Sequence, residues 1–272
     1  MIYEKAHAKI NLALDVVSKR DDGYHELKMI MIPLDLHDQL SFELHDDIIL
    51  TSNLEIKDNA VLKTANLIKE KYNVDQGVSI NLTKHIPVGA GLAGGSADIA
   101  ATIRGLNKLW NLNLNKDQLE SIALSLGSDT LFCLYEKPAY VYGRGEYIEF
   151  LDSPEFDDIY LFYPNISVST AHIFKHHVVK KKSTFDQLLT YYKDKAWDLF
   201  FDHTYNDLME TTFKCHKELE SIYQTLKNID QHILMSGSGS TFFLVNSKLN
   251  MSKILQNTRK TGVKIVKTCT KT

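Results

Sequence analysis

The chain of 272 residues, with 44% hydrophobic and 24% charged residues, has the composition of a globular protein, and its length allows one large or two ordinary domains. A formal net charge of -3 gives no general attraction to nucleic acid, and no segment approaches the roughly 20 apolar residues that a membrane-spanning helix needs. Glu4 and Lys9 interrupt the amino-terminal region where an export signal needs an apolar run, so we expect a cytoplasmic protein. From the net charge and the lack of a long apolar segment, we expect neither nucleic-acid nor membrane partners.

The first half of the chain is predicted to be rich in strands. From Lys9 to Val16 apolar and polar residues alternate, which is typical of a half-buried strand, and the same period recurs at 40–44 and 78–82. Apolar residues at helical spacing predict three helices, with apolar positions at Val61, Ala65, Ile68 and Tyr72, at Ile99, Ile103, Leu106 and Trp110, and at Leu119, Ile122, Ala123 and Leu126. Gly127 is expected to end the third helix in a left-handed conformation.

Acidic and turn residues around Pro154 favour a domain boundary, which gives domains at 1–153 and 154–272. Beyond the boundary the pattern predicts a strand at 159–163, helices between about residues 183 and 227, strands at 232–235 and 241–245, a helix from Met251 and a strand near Val263. Because strands and helices mix without strict βαβ repetition, the sequence predicts two α+β domains.

Two further patterns have structural interpretations. The basic run KHHVVKKK at 175–182 is typical of a solvated loop or helix end. Cys133, Cys215 and Cys269 lie far apart, with neither CxxC spacing nor a histidine pair close by in the sequence. This pattern favours reduced, packed thiols over disulfides or a zinc site.

The stretch PVGAGLAGGSADIAA, residues 87–101, places four glycines before an alanine-rich segment. Gly89, Gly91 and Gly94 match G-x-G-x-x-G, but neither the acidic residue about twenty positions on that dinucleotide-binding folds require nor the other protein-kinase motifs are present. With Ser96 predicted to begin a helix, free N–H groups and the positive dipole end would face a glycine turn that phosphate oxygens can approach. The alternative is a tight turn needed only for packing, with Ser96 as a plain N-cap.

Three other stretches, together with PVGAGLAGGSA, resemble the GHMP kinases, the family named for galactokinase, homoserine, mevalonate and phosphomevalonate kinases. They are AKINLALDV at 8–16, KRDDGYHEL at 19–27 and MSGSGSTFF at 235–243, in the order of the family. The RDDGYHE element is similar to that of one branch of the family. Members of this branch phosphorylate the 2-hydroxyl of a cytidine diphosphate-linked methylerythritol in the non-mevalonate isoprenoid route. The resemblance covers essentially the whole chain.

The resemblance implies an ATP-dependent kinase that uses Mg²⁺ and acts on this small-molecule substrate. We expect a monomer or homodimer. It also implies an amino-terminal domain like the second domain of ribosomal protein S5, a carboxy-terminal ferredoxin-like domain, and an active site in the cleft between them. A kinase for another small alcohol and a non-catalytic nucleotide-binding relative stay open as alternatives.

The resemblance further implies roles for individual residues. Asp129 would orient or deprotonate the acceptor hydroxyl, with Lys9 paired to it and close to the transferred phosphate. ATP would contact Pro87, Gly89, Ala90, Gly91, Leu92, Ala93, Gly94, Gly95 and Ser96, with Asn59 and Lys84 near the adenine and ribose. The substrate would contact Asn11, Tyr24, His25, Phe174 and the turn of Ser236, Gly237, Ser238 and Gly239.

Each of these roles has a simpler alternative. Lys9 and Asp129 could form an ordinary salt bridge, Phe174 could belong to an aromatic core under a loop, and the second glycine turn could only join two strands. Metal ligands stay unassigned: Ser96 could approach a magnesium ion, whereas Asp98, expected in the first helical turn, is interpreted as favouring the helix dipole.

Overall fold

The computed structural model describes residues 1–179, 183–245, 254, 258 and 262–271, and it divides the chain into two compact units. Unit 1 consists of Met1–Ala8, Leu36–Ile86 and Ala93–Glu136, and unit 2 of Lys9–Asp35, Pro87–Leu92 and Lys137–Thr272. Each unit combines strands with helices, which confirms the predicted α+β class. The division into 1–153 and 154–272 stays a prediction.

Two long strands, β1 (Ile2–Lys19) and β2 (His25–His45), contribute residues to both units and pair with each other. In unit 1 the second half of β2 pairs antiparallel with β4 (Gly77–Thr83), which pairs in parallel with β3 (Ile48–Ser52). The helices of this unit are α1 (Ala60–Lys71), α2 (Gly94–Leu109), α3 (Lys116–Leu126) and α4 (Thr130–Tyr135). A Cβ added to Gly105 of α2 would lie 2.4 Å from the Phe42 ring, so this glycine lets the helix pack closely on β2.

In unit 2 the first half of β2 pairs antiparallel with β5 (Ala139–Gly143), which pairs with β6 (Tyr147–Phe150). A second, antiparallel sheet has the order β10 (Lys264–Thr268), β7 (Ile159–Tyr163), β9 (Phe242–Val245) and β8 (Leu234–Met235). The helices are α5 (Thr170–His176), α6 (Phe185–Lys193), α7 (Trp197–His203), α8 (Leu208–Cys215) and α9 (Lys217–Lys227).

The last described residues of unit 2 return to the middle of β2. The Asp35 N–H donates to the Cys269 carbonyl at 3.0 Å, and the Lys271 N–H donates to the Pro33 carbonyl at 3.1 Å. Residues more than 230 positions apart in the sequence therefore close this unit.

Most predicted elements are confirmed, with differences in burial and in the ends of elements. The strand predicted at 9–16 is present, but every residue from Ala6 to Val16 is buried, so its polar face is covered as well as its apolar one. Gly127 has a φ of 171°, which is extended and not left-handed, because only three residues separate α3 from α4. Strands β3, β5 and β6 and helices α4 and α5 were not predicted.

Two sequence predictions fall partly outside the described residues. The helix expected from Met251 does so except at Ile254 and Thr258, and the basic run does so at 180–182. Lys175 and His176, at the start of the run, form the last turn of α5, as expected of a helix end. Among the described residues, no helix is both long and apolar enough to cross a membrane.

Candidate functional site

The segment 87–92 of the glycine stretch is held in unit 2 by its own backbone. The carbonyl groups of Gly89, Ala90 and Leu92 accept hydrogen bonds from the N–H groups of Val168, Thr241 and Lys9, at 3.3, 3.1 and 3.1 Å. Because these bonds come from three separate stretches of chain, the loop has a fixed course although it contains two glycines.

Gly91 lies directly against the second glycine turn. Its carbonyl accepts a hydrogen bond from Ser236 Oγ at 2.9 Å, and its φ is +76°. A Cβ on Gly91 would lie 2.3 Å from the Ser236 carbonyl oxygen and 2.7 Å from that of Gly239. Only glycine fits this close approach of two backbones, so the two predicted glycine turns meet here.

The second turn, 236–239, connects β8 to β9 as predicted, and the Gly239 N–H donates to the Ser236 carbonyl at 2.9 Å. Lys9 and Asn11 reach this turn from β1. Lys9 Nζ donates to Asn11 Oδ1 at 2.5 Å, and a Cβ on Gly237 would lie 3.5 Å from both atoms. Lys9 is only 3% exposed. A buried ammonium beside an amide and two glycine turns is an arrangement suited to an anion.

Asn206, which was not predicted from the sequence, positions the second glycine turn. Its Nδ2 donates to the carbonyls of Met235 and Gly237, both at 2.7 Å, and its Oδ1 accepts from the Leu208 N–H at 2.9 Å. The side chain is buried, and three hydrogen bonds fix its orientation. No motif surrounds Asn206, so its sequence context gives no signal for this role.

Of the three residues predicted to bind the base, His25 and Phe174 lie side by side, whereas Tyr24 lies at the surface. The His25 and Phe174 ring centroids lie 5.3 Å apart with an interplanar angle of 32°, whereas Tyr24 is 51% exposed beneath the Arg144 guanidinium. Burial, with a smaller contribution from the Lys19 charge, lowers the pKa of His25 and favours its neutral ring. Phe174 is half-buried in α5.

Helix α5 is also joined to the second glycine turn. Thr170 Oγ1, in the first turn of α5, lies 2.8 Å from Ser238 Oγ. The helix that carries Phe174 therefore has a direct contact with the turn predicted to lie beside the substrate phosphates.

In unit 1, a concave pocket of about 580 Å³ lies where β3 meets the start of α1. Leu50, Leu54, Ile56 and Leu62 supply apolar walls, and Asn59 and Asn66 supply amides. Asn59 is also the N-cap of α1, since its Oδ1 accepts from the Val61 N–H at 2.9 Å. The volume and the mixed lining suit a small planar ligand such as a nucleobase.

Helix α2 begins two residues earlier than predicted. Its first residue is Gly94, and its N-cap is Ala93, which has a φ of 54° and offers no capping side chain. Ser96 therefore neither begins the helix, as predicted, nor acts as its N-cap, as in the alternative interpretation. A residue in the left-handed conformation at this point turns the chain into the helix before Ser96 is reached. The first N–H groups of α2 thus have no side-chain cap, and Gly95 is exposed with room for a Cβ.

Asp129 lies in the turn between α3 and α4, as predicted. Its carbonyl accepts from the Cys133 N–H at 3.1 Å at the start of α4. A Cβ on Gly127, at the other end of the turn, would lie 3.9 Å from Ser96 Oγ. Within unit 1 the Asp129 turn is therefore adjacent to the start of α2. Lys9 belongs to the other unit, and its pairing with Asp129 stays a prediction.

Lys84 forms a buried ion network with Asp38 and Asp98. Its Nζ donates to Asp38 Oδ2 and, at 2.6 Å, to Asp98 Oδ2, and the Ile86 N–H donates to Asp38 Oδ1 at 2.8 Å. The sequence predicted that Asp98 lies in the first turn of α2. This prediction is wrong, because the helix starts at Gly94 and its first turn ends before Asp98. The network holds the end of β4 against α2, and it engages the ammonium of Lys84 with two carboxylates.

We expect Asp98→Asn to flatten the pH dependence of stability. Burial raises the pKa of Asp98 to about 7, against the opposing effect of the Lys84 ammonium. A carboxyl group with a raised pKa contributes stability that is complete below its unfolded pKa of about 4 and is lost as the pH rises. The wild type should therefore lose stability between about pH 4 and the folded pKa, which urea unfolding at several pH values would measure.

The asparagine side chain cannot ionise, so the Asp98→Asn protein should lose less stability over that range. Asp46→Asn, at an exposed position, is the matched control and should follow the wild-type profile. Parallel profiles for the wild type and Asp98→Asn would show that the carboxyl of Asp98 is not the group responsible.

Comparison with known proteins gives consistent matches. The family model described as the GHMP kinases N terminal domain matches residues 59–137. A 4-diphosphocytidyl-2-C-methyl-D-erythritol kinase of Bacillus cereus (strain AH187) is 44% identical over 260 residues, which cover 92% of this chain and 90% of the relative. A crystal structure of 4-(cytidine 5'-diphospho)-2C-methyl-D-erythritol kinase aligns over 100% of both chains with a TM-score of 0.80 and 27% identity. The mevalonate kinase of Methanococcus jannaschii, at 16% identity and a TM-score of 0.67, covers 100% of this chain and 98% of its own and shares the fold.

Proposed function

Because this chain belongs to the GHMP kinase family and matches 4-diphosphocytidyl-2-C-methyl-D-erythritol kinases over most of its length, we propose that it phosphorylates 4-diphosphocytidyl-2-C-methyl-D-erythritol. The reaction transfers the γ-phosphoryl group of ATP to the 2-hydroxyl of this alcohol, a step of non-mevalonate isoprenoid precursor synthesis. The observation that carries the proposal is the buried ammonium of Lys9 beside Asn11 and two interlocked glycine turns.

ATP is proposed to bind along the glycine stretch, with its phosphates over residues 89–96 and its base in the pocket beside Asn59. Two features of the chain fit this placement. The first turn of α2 presents N–H groups without a side-chain cap, and the open space above Gly95 lets an anion reach them. Mg²⁺ would neutralise phosphate charge, and Ser96 is the residue proposed to approach it, since Asp98 is engaged by Lys84.

Phosphoryl transfer requires that an acceptor hydroxyl be held in line and that charge on the moving group be stabilised. We assign the first task to Asp129, which would orient the hydroxyl and accept its proton, and the second to Lys9. The position of Asp129 in a turn beside the start of α2 supports its role. The burial of Lys9 supports the other, because an ammonium shielded from water acts strongly on a nearby phosphate.

The cytidyl group of the substrate is proposed to lie at His25 and Phe174, whose rings are neighbours in unit 2. Stacking on aromatic rings contributes about 1 to 3 kcal/mol per base in single-stranded nucleic-acid complexes, and the neutral imidazole can read a base edge. Tyr24, Asn11 and the turn 236–239 are the remaining proposed substrate contacts.

ADP release from Mg-ATP tests the proposed function directly. We expect steady turnover with 4-diphosphocytidyl-2-C-methyl-D-erythritol and none above background with mevalonate, homoserine or galactose, since these alcohols lack the cytidyl group. If the protein turned over one of the other alcohols and not the proposed one, that alcohol would be the substrate. ATP binding without a phosphorylated product from any alcohol would support a non-catalytic nucleotide-binding protein instead.

A further inference from the structure

Three metal-binding side chains, His172, His176 and Cys215, form a cluster in unit 2 that has no part in the proposed reaction. One ring nitrogen from each histidine and the Cys215 sulfur all lie within 4.8 Å of one another. In a tetrahedral zinc site, with bonds of 2.0 to 2.3 Å, ligand atoms are about 3.5 Å apart. Small side-chain rotations would therefore close the cluster around one ion.

The backbone of unit 2 already brings the three ligands together. His172 and His176 are four residues apart on α5 and so share one face of the helix. Cys215 is the last residue of α8, which packs against α5. His177 Nδ1 and Thr211 Oγ1, 3.0 Å apart, join the same two helices beside the cluster.

The hydrogen bonding of His176 fixes which ring nitrogen is available. Its Nδ1 lies 2.8 Å from the carbonyl oxygen of His172, and a carbonyl can only accept, so Nδ1 carries the hydrogen. The neutral ring then keeps its lone pair on Nε2. An outer hydrogen bond of this kind, which sets the tautomer and the ring orientation, almost always accompanies a histidine that binds a metal.

The thiol completes the set of ligands. Cys215 carries a free, half-buried thiol at the end of its helix. From the sequence, this cysteine is expected to be a packed thiol, because no histidine pair lies close to it along the chain. The pair comes from α5, in a distant part of the chain, and only the fold places it beside the sulfur.

We propose that His172, His176 and Cys215 bind a divalent transition metal of the zinc class, with water as the fourth ligand. Two imidazoles and a thiolate select borderline and soft metals, whereas Mg²⁺ prefers oxygen ligands, so the site is distinct from any magnesium bound with ATP. The ion joins α5 to α8. Because α5 also carries Phe174 and contacts Ser238 through Thr170, bound metal restrains this helix.

Cobalt titration of the full chain, freed of metal with a chelator, tests the site. Co²⁺ should bind as one ion per chain, with the visible absorption of a tetrahedral site and a near-ultraviolet charge-transfer band from the thiolate, and Zn²⁺ should displace it. Cys215→Ser should lose the charge-transfer band. Since removal of an outer-shell partner alone costs about 10- to 100-fold in affinity, His176→Ala should weaken binding by at least about 100-fold.

Two matched variants control for other cysteines and histidines. Cys269→Ser removes a thiol outside the cluster, and His216→Ala removes the histidine next to Cys215, so both should bind Co²⁺ as the wild type does. Circular dichroism of the metal-free variants checks that each one folds. The proposal is overturned by a lack of saturable binding, by a charge-transfer band that survives in Cys215→Ser, or by equal losses in the cluster and control variants.

Discussion

Asp129→Asn is expected to reduce turnover by about 10² to 10⁴-fold, the usual effect of losing a general base, while ATP binding stays nearly unchanged. Asparagine keeps the size of the side chain and leaves in place the backbone hydrogen bond that the Cys133 N–H donates to the carbonyl of residue 129, so α4 should begin as before. What is lost is the carboxylate that would accept the proton of the hydroxyl. Single-turnover phosphoryl transfer, with calorimetric titration of ATP, measures the two properties separately.

Asp117→Asn is the matched control for this experiment, because it removes an exposed carboxylate from the first turn of the neighbouring helix α3. Turnover in the control should equal that of the wild type. If Asp129→Asn also turned over at the wild-type rate, Asp129 would have no part in proton transfer, and the fold and family assignment would stand without it.

Gly91→Ala is expected to lower the free energy of unfolding by about 2 to 5 kcal/mol. Overpacking typically costs about 1 to 3 kcal/mol, and a left-handed residue with a Cβ costs about 1 to 2 more. The neighbouring atoms are backbone oxygens of the second glycine turn, which cannot rotate out of the way. Displacement of either turn by about 1 Å should also cost roughly 100-fold in turnover. Urea unfolding and ADP release measure the two effects.

Gly95→Ala separates packing from contact with phosphate. A Cβ at Gly95 meets no protein atom within 4 Å, and the residue lies in α2, where alanine is favoured, so stability should be unchanged or higher. If phosphate occupies the open space above Gly95, the KM for ATP should nevertheless rise. A Gly91→Ala protein as stable as the wild type would contradict the close backbone approach described above.

The sequence was sufficient to predict those features of the fold that depend on the pattern of neighbouring residues. Two-residue and helical periods predicted most strands and helices, and the glycine motifs predicted both turns, because these features follow from neighbouring residues alone. The alternation in β1 predicted a half-buried strand, but it could not predict that the face carrying Lys9 and Asn11 is buried as well. Burial depends on which distant segments cover a strand, and the strand itself carries no record of them.

The errors have physical causes of the same kind. Helix α2 starts early because Ala93 adopts a left-handed conformation, which an alanine does not signal in a sequence. Asn206 and the cluster at α5 and α8 depend on contacts between segments far apart along the chain. Asp98 was assigned to the helix dipole because the position of Lys84 beside it appears only in the folded structure.

The return of the last described residues to β2 and β7 has a consequence for biosynthesis. Unit 1 is made entirely from residues up to Glu136, so all its parts are available when half the chain has left the ribosome. Unit 2 must wait for β10 and for Lys271 before its second sheet is full and Pro33 has its partner. Until then β7 is an open edge that other nascent chains can pair with. We therefore expect the nascent chain to be most prone to aggregation in the interval between the synthesis of β7 and that of β10.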